Sequence, residues 1–110
     1  MHIIEIQKFC SELLSRVTYP RVGTIIGLQE EVGKVAKIVM DIEIYGRPFE
    51  KKLFEKKCSE LFFSFIDLCN SYDINIENVS RIRIKEIQKK IEGWEKEHSS
   101  ALKNKRKKFD

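Results

Sequence analysis

The stretch that decides the fold is residues 54–72, FEKKCSELFFSFIDLCNSY. Its apolar residues fall in two neighbouring rows at helical spacing. The first row is Phe54, Cys58, Leu61, Phe65, Leu68 and Tyr72, and the second is Phe62, Ile66 and Cys69. Two adjacent apolar rows predict a central helix that is packed on most of its circumference. Because a chain of 110 residues is too short to supply all of those partners, we expect oligomerisation, with a two-fold dimer favoured.

Glycine and proline divide the rest of the chain into further helices. The predicted helices are Ile3–Val17, Thr24–Tyr45, Phe49–Tyr72 and a fourth from Asn75 to about His98, with Thr24 and Asn75 as N-caps. Gly46-Arg47-Pro48 ends the second helix, and Asp73-Ile74-Asn75 forms a tight link before the fourth. We therefore predict an all-α, four-helix domain over residues 1–98, followed by a basic, disordered tail over residues 99–110.

Two glycines lie inside the second predicted helix, at Gly27 and Gly33. Each costs about 1 kcal/mol of helix propensity relative to alanine. Their presence predicts that a neighbouring helix or a ligand approaches the backbone closely at these positions.

The net charge of +4 is confined to the end of the chain, since residues 103–110 hold five Lys or Arg and one Asp. Such a short basic tail attracts nucleic acid only nonspecifically, so we expect no sequence-specific nucleic-acid binding. Cys10, Cys58 and Cys69 have neither disulfide-framework nor zinc-site spacing, and we interpret them as core residues of a reduced, cytoplasmic protein. No apolar run reaches membrane-spanning length, so no membrane partner is expected.

Charged residues interrupt the apolar faces of the second and third predicted helices. Glu30 and Glu31 lie beside the apolar row of the second helix, and Lys57 and Glu60 flank Cys58 on the third. An antiparallel hairpin of these helices would bring the two groups together. Carboxylates one turn apart on facing helices are one way to supply the oxygen ligands that Mg²⁺ prefers.

The sequence here resembles the MazG-like all-α nucleoside triphosphate pyrophosphohydrolases. Their signature, E-E-x-x-E followed after a spacer by E-x-x-D, corresponds to Glu30-Glu31-Val32-Gly33-Lys34 and to Lys57-Cys58-Ser59-Glu60. The flanking segments, residues 27–33 and 61–74, are also similar to the family, and the resemblance covers roughly residues 27–91.

The resemblance implies a helical-bundle homodimer or homotetramer that holds Mg²⁺ on acidic residues and cleaves a nucleoside triphosphate to the monophosphate and pyrophosphate. It implies catalytic roles for Glu30, Glu31 and Glu60, with Glu31 and Glu60 as the metal ligands. It also implies nucleotide contacts for Asn70, which is otherwise simply a polar residue near the C-terminal end of the third helix. It implies phosphate contacts for Lys85 and Lys89, although a basic run on a helix is more often a solvated face. Trp94 is a candidate for stacking on the base, or a core residue.

The chain departs from the signature at three positions, namely Lys34, Lys57 and Glu60. Three carboxylates then face two ammonium groups, and a charged lysine has no lone pair to offer a metal, so Mg²⁺ affinity should collapse. The lysines can neutralise the carboxylates instead, because Glu30 and Lys34 are spaced i, i+4 and Lys57 and Glu60 are spaced i, i+3. They can also bind phosphate as point charges.

Three interpretations remain open. The first is a degenerate member of the family that keeps the fold and oligomer and acts as a nucleotide-binding pseudoenzyme or an interaction module. The second is a weak pyrophosphohydrolase with a metal bridged by Glu31, Glu60 and the substrate phosphates. The third is a helical bundle unrelated to the family, in which these charges form ordinary surface ion pairs.

Overall fold

The structure, a computed structural model, describes the backbone of residues 1–15 and 20–109 and the side chains of residues 1–15 and 20–98. It has four helices in chain order: α1 (Ile3–Leu14), α2 (Val22–Glu43), α3 (Lys51–Ser71) and α4 (Ile76–Phe109). No strand occurs among the described residues. The prediction of an all-α chain with four helices is therefore confirmed, and the predicted end of the first helix at Val17 lies outside the described residues.

The turns follow from local backbone chemistry. Gly46 adopts a left-handed conformation with φ of 64° just after α2, at the predicted break. Asp73 also has a positive φ, of 54°, and the amide of Ile74 donates to the carbonyl of Cys69 at 3.0 Å, which closes the end of α3. This tight turn precedes α4, which begins directly after Asn75.

The predicted N-cap Thr24 is wrong. Helix α2 begins two residues earlier, at Val22, and the Thr24 hydroxyl donates to the carbonyl of Arg21 at 2.7 Å. Because the hydroxyl satisfies a carbonyl and not an amide of the first turn, Thr24 acts within the helix and does not start it.

Residues 1–76 form one compact unit in which α3 contacts both α1 and α2. The buried hydrophobic residues described in it are Cys10, Ile66 and Cys69, and only Ile66 is completely buried. Two of the three cysteines are therefore core residues as predicted, while Cys58 is exposed in the single chain. The prediction that α3 is packed on most of its circumference is also not met in the single chain, because Phe62, Phe63 and Phe65 are exposed.

The rest of α4, residues 77–109, belongs to a second unit. The backbone has a non-helical conformation at His98, with φ of −130° and ψ of 31°, where the sequence predicted the helix to fade. It is helical again from there to Phe109, over the segment for which we expected disorder. That segment contains Ala, Leu, Lys and Arg and no Gly or Pro, a composition with good helix propensity. Among the described residues, no helix has the length and apolarity that crossing a membrane requires.

Candidate functional site: a charged cluster between α2 and α3

Helices α2 and α3 run antiparallel, so that the middle of one lies beside the middle of the other. Thr24 lines one cleft with Ser71, and Ile42 lines another with Leu53, which fixes the two ends of the pair. Glu31 and Lys34 on α2 and Lys57 and Glu60 on α3 occupy the central turns between these ends.

On α2, the ammonium of Lys34 donates to Oε1 of Glu31 at 3.1 Å. The Glu31 side chain is only 16% exposed, whereas that of Lys34 is 52% exposed. The expected i, i+4 partner Glu30 is exposed, and its charge contributes less to raising the pKa of Lys34 than that of Glu31. Lys34 thus pairs with the less exposed of the two carboxylates.

On α3, the ammonium of Lys57 donates to Oε2 of Glu60 at 3.3 Å, the i, i+3 pair that the sequence predicts. Both side chains are about two-thirds or more buried. The hydrogen bond from Lys57 lowers the pKa of the Glu60 carboxyl, and the charges of Lys57, Lys56 and Lys34 act in the same direction.

The two ion pairs act electrostatically on each other. The hydrogen bond and charge of Glu31 raise the pKa of Lys34, and Glu60, across the helix pair, adds to the rise. Conversely, Lys34 contributes to the lowered pKa of Glu60. We call these four residues, Glu31, Lys34, Lys57 and Glu60, the charged cluster. The expectation that the hairpin brings both motif halves together is supported by this coupling.

One carboxylate oxygen of the charged cluster has no protein partner. Oε2 of Glu31 is buried and accepts no hydrogen bond within the described part of the chain. A buried acceptor without a donor costs about 1–3 kcal/mol, so this oxygen is the point at which a further donor or cation would stabilise the cluster.

The donor set nevertheless does not fit Mg²⁺. Among the described residues, no group of three or more His, Cys, Asp or Glu side chains is placed to hold a metal ion. The two carboxylates assigned to the metal, Glu31 and Glu60, are each already hydrogen-bonded to an ammonium group. An ammonium repels a dication and offers it no lone pair, so the two lysines disfavour a metal between these carboxylates.

Asn70, assigned to nucleotide binding, takes part in a part-buried hydrogen-bond network with Gln7, a residue that the sequence did not single out. The amide nitrogen of Gln7 donates to Oδ1 of Asn70 at 3.0 Å and to the carbonyl of Ile74 at 2.8 Å. Oε1 of Gln7 accepts from the amide of Ile76 at 3.1 Å, and Nδ2 of Asn70 donates to the carbonyl of Gln7 at 2.9 Å. The sequence does contain a signal for the role of Gln7, since it is a polar residue among the apolar residues Ile3, Ile6 and Cys10 of α1.

A cleft of about 470 Å³ lies beside Asn70, between α1, α2 and α3. Most of the residues that line it are of polar type; they include Ser11, Arg21, Thr24, Asp67, Asn70 and Ser71. The remaining predicted contacts, Lys85, Lys89 and Trp94, are exposed residues of α4 in the second unit, where Trp94 packs edge-on against His98. Their assignment to phosphate and base stays a prediction.

Comparisons with protein-family models, curated proteins and solved structures found no match to this chain.

Proposed function

We propose that the chain is a MazG-like protein in which Lys34 and Lys57 have taken the place of Mg²⁺ as the counter-charge of the carboxylates. Its nucleoside triphosphate pyrophosphohydrolase activity is then weak or absent. The observation that carries the proposal is the pair of ion pairs, Lys34 with Glu31 at 3.1 Å and Lys57 with Glu60 at 3.3 Å, on facing helices. They neutralise the positions at which the motif would otherwise concentrate negative charge.

The test is pyrophosphate release from a panel of standard and modified nucleoside triphosphates, with Mg²⁺ or Mn²⁺. We expect little or no release by the wild-type chain and a gain of release in the double variant Lys34→Glu/Lys57→Glu. The matched control is Lys37→Glu/Lys52→Glu, which reverses two exposed charges on the same helices outside the charged cluster.

Two outcomes contradict the proposal. Strong wild-type turnover that is lost in Glu31→Ala shows that the lysines do not impair the site. A double variant that neither binds Mg²⁺ nor gains activity shows that the residues are wrongly matched to the motif.

Nucleotide binding without catalysis is a second candidate, and the cleft beside Asn70 favours it. It is an open surface cleft with a volume of about 470 Å³. Arg21 lines the cleft. The half-exposed Lys34 lies about 15 Å or more further along α2, so a nucleotide that contacts both the cleft and Lys34 would have to be extended.

Titration calorimetry with nucleoside triphosphates in the presence of a chelator tests this candidate. Binding that weakens in Asn70→Ala and in Lys34→Ala supports it. If no nucleotide binds, the chain is an oligomeric interaction module.

The proposal includes assembly into a homodimer or homotetramer, supported by the small core of residues 1–76. It places the protein in the cytoplasm, a reducing compartment that suits three free cysteines.

A further inference from the structure

The link between α2 and α3 folds back over the last turns of α2. Helix α2 ends at Glu43, and α3 begins at Lys51. Gly46 turns the chain with a φ of 64°, and the amide of Arg47 then donates to the carbonyl of Asp41 at 3.0 Å. This hydrogen bond holds the backbone of Arg47 beside the helix that the chain has just left.

A cleft of about 460 Å³ lies where this link meets both helices. Its apolar lining includes Ile38 and Ile42, one turn apart on α2, and Leu53 near the start of α3. The two isoleucines are half-buried and Leu53 is 43% exposed, so aliphatic surface in the cleft remains open to solvent. The apolar part of a ligand placed there would be removed from water.

Three charged side chains line the same cleft. Asp41 lies on α2 and is half-buried, Arg47 belongs to the link, and Glu50 immediately precedes α3. Two carboxylates and one guanidinium give the cleft a formal charge of −1. Charges of both signs are therefore placed around one patch of aliphatic surface.

These opposite charges do not neutralise one another. Within the part of the chain that the structure describes, neither Asp41 nor Glu50 forms an ion pair with Arg47. The Glu50 side chain does not cap α3 either. By contrast, Lys51 and Glu55 in the first turns of α3 do pair, at 3.8 Å. The charges of the cleft are therefore available to a ligand.

The chemistry of the three charged groups and the aliphatic surface defines the ligand that fits. The planar guanidinium of Arg47 can donate two parallel hydrogen bonds to a carboxylate. Asp41 and Glu50 offer only acceptors when ionised, so they suit an ammonium. The two carboxylates also repel a phosphate dianion more strongly than a carboxylate, because the repulsion scales with the charge of the ligand group.

We infer that this cleft binds a small zwitterion that carries an ammonium and a carboxylate on an aliphatic body, the class to which aliphatic α-amino acids belong. Asp41 follows Lys34 by seven residues, so the cleft lies about 10 Å along α2 from the charged cluster. The inference goes beyond the proposed function, and it uses no residue of the charged cluster.

The first test compares three ligands of similar shape on the full wild-type chain at neutral pH. Leucine carries both charges, leucinamide carries only the ammonium, and isocaproate carries only the carboxylate. Titrations followed by amide NMR should show saturable shifts around Ile38, Arg47 and Leu53 with leucine. Each analogue should bind about tenfold more weakly or worse, because it lacks one set of charge-assisted hydrogen bonds.

The second test removes the guanidinium. Arg47 is exposed, so Arg47→Gln should keep the fold. This variant should bind leucine no more tightly than leucinamide, while it still prefers leucine to isocaproate. The matched control is Lys52→Gln, which removes an exposed cation of the neighbouring turn that does not line the cleft. We expect the control to keep both preferences of the wild type.

Three outcomes overturn the inference. The first is the absence of saturable shifts with leucine at millimolar concentration. The second is a wild-type chain that binds leucinamide or isocaproate as tightly as leucine. The third is an Arg47→Gln variant that still prefers leucine to leucinamide. None of these results depends on whether the chain binds or hydrolyses nucleoside triphosphates, so failure here is distinct from failure of the proposed function.

Discussion

Two hydrogen bonds join Gln7 of α1 to Asn70 of α3. Nε2 of Gln7 donates to Oδ1 of Asn70 at 3.0 Å, and Nδ2 of Asn70 donates to the main-chain carbonyl of Gln7 at 2.9 Å. The same Gln7 amide also bonds the backbone of Ile74 and Ile76, in the turn that leads into α4. One buried side chain therefore fastens α1 to the end of α3 and to the following turn.

Replacing Gln7 by alanine should destabilise residues 1–76 strongly. The change removes three hydrogen bonds and leaves the Ile76 amide, the Ile74 carbonyl and Oδ1 of Asn70 without these partners, at about 1 kcal/mol for each. We expect a loss of about 2–4 kcal/mol in the free energy of unfolding, measured by urea titration at fixed protein concentration.

The control for this prediction is Gln29→Ala, which removes an exposed amide on α2 and should change the free energy of unfolding by no more than about 0.5 kcal/mol. Equal effects of the two variants would show that the network around Gln7 adds nothing to stability.

Substitution of a glycine in α2 should raise the free energy of unfolding, the opposite of the effect expected for Gln7→Ala. Apart from the neighbouring backbone of its own helix, a Cβ added at Gly27 or Gly33 would meet no atom of the described residues within 4 Å, so the predicted close approach is not found within the single chain. Gly27→Ala should therefore stabilise the protein by about 1 kcal/mol through helix propensity.

Gly46→Ala is the matched control, because Gly46 has equal open space but a φ of 64°. There alanine should destabilise by about 1 kcal/mol. Thermal unfolding of both variants at one protein concentration checks the pair. A large loss of stability in Gly27→Ala would mean that a second molecule, and not this chain, approaches that glycine.

The helices were predictable from the sequence because their signals are local. The spacing of Phe54, Leu61 and Leu68 marks α3, and Gly46 marks the end of α2, without reference to any distant residue. The start of α2 was not predictable, because Thr24 is a residue type typical of N-caps but its hydroxyl donates to the carbonyl of Arg21, the residue just before the helix.

The charged cluster was predictable only in part. The spacing of Lys57 and Glu60 indicated their ion pair, but Lys34 had two carboxylates within one turn. The structure pairs it with Glu31, the less exposed of the two, and the charge of Glu60 on α3 adds to the attraction. The choice depends on the packing of a second helix, as does the network of Gln7, whose partners are more than 60 residues away in sequence.

The charged cluster should make stability depend on acid pH. The hydrogen bond from Lys57 lowers the pKa of Glu60 in the folded state. A lowered carboxyl pKa contributes stability that is present above the unfolded value of about 4.3 and is lost as the pH falls through the folded value. The difference in free energy of unfolding between wild type and Glu60→Gln should therefore shrink from about pH 6 to about pH 3.

The comparison for this measurement is Glu55→Gln on the same helix. Glu55 pairs with Lys51 at 3.8 Å, and both side chains are more than 60% exposed, so we expect a smaller pH-dependent difference. High salt should reduce both effects. A Glu60→Gln difference that is constant with pH would exclude a stabilising role for the Lys57 contact.

Exchanging both lysines for glutamate should convert the charged cluster from a self-neutralised group into one that needs a cation. In Lys34→Glu/Lys57→Glu, four adjacent carboxylates repel one another, so without metal the variant should be less stable than wild type. Added Mg²⁺ should then stabilise the variant by about 1.4 kcal/mol at about ten times its dissociation constant, while wild type shows no change. Thermal unfolding with and without Mg²⁺ measures this, and Lys37→Glu/Lys52→Glu, which reverses the same number of charges outside the charged cluster, should respond as wild type does. If Mg²⁺ stabilises wild type as much as the double variant, the lysines do not occupy the role of the metal.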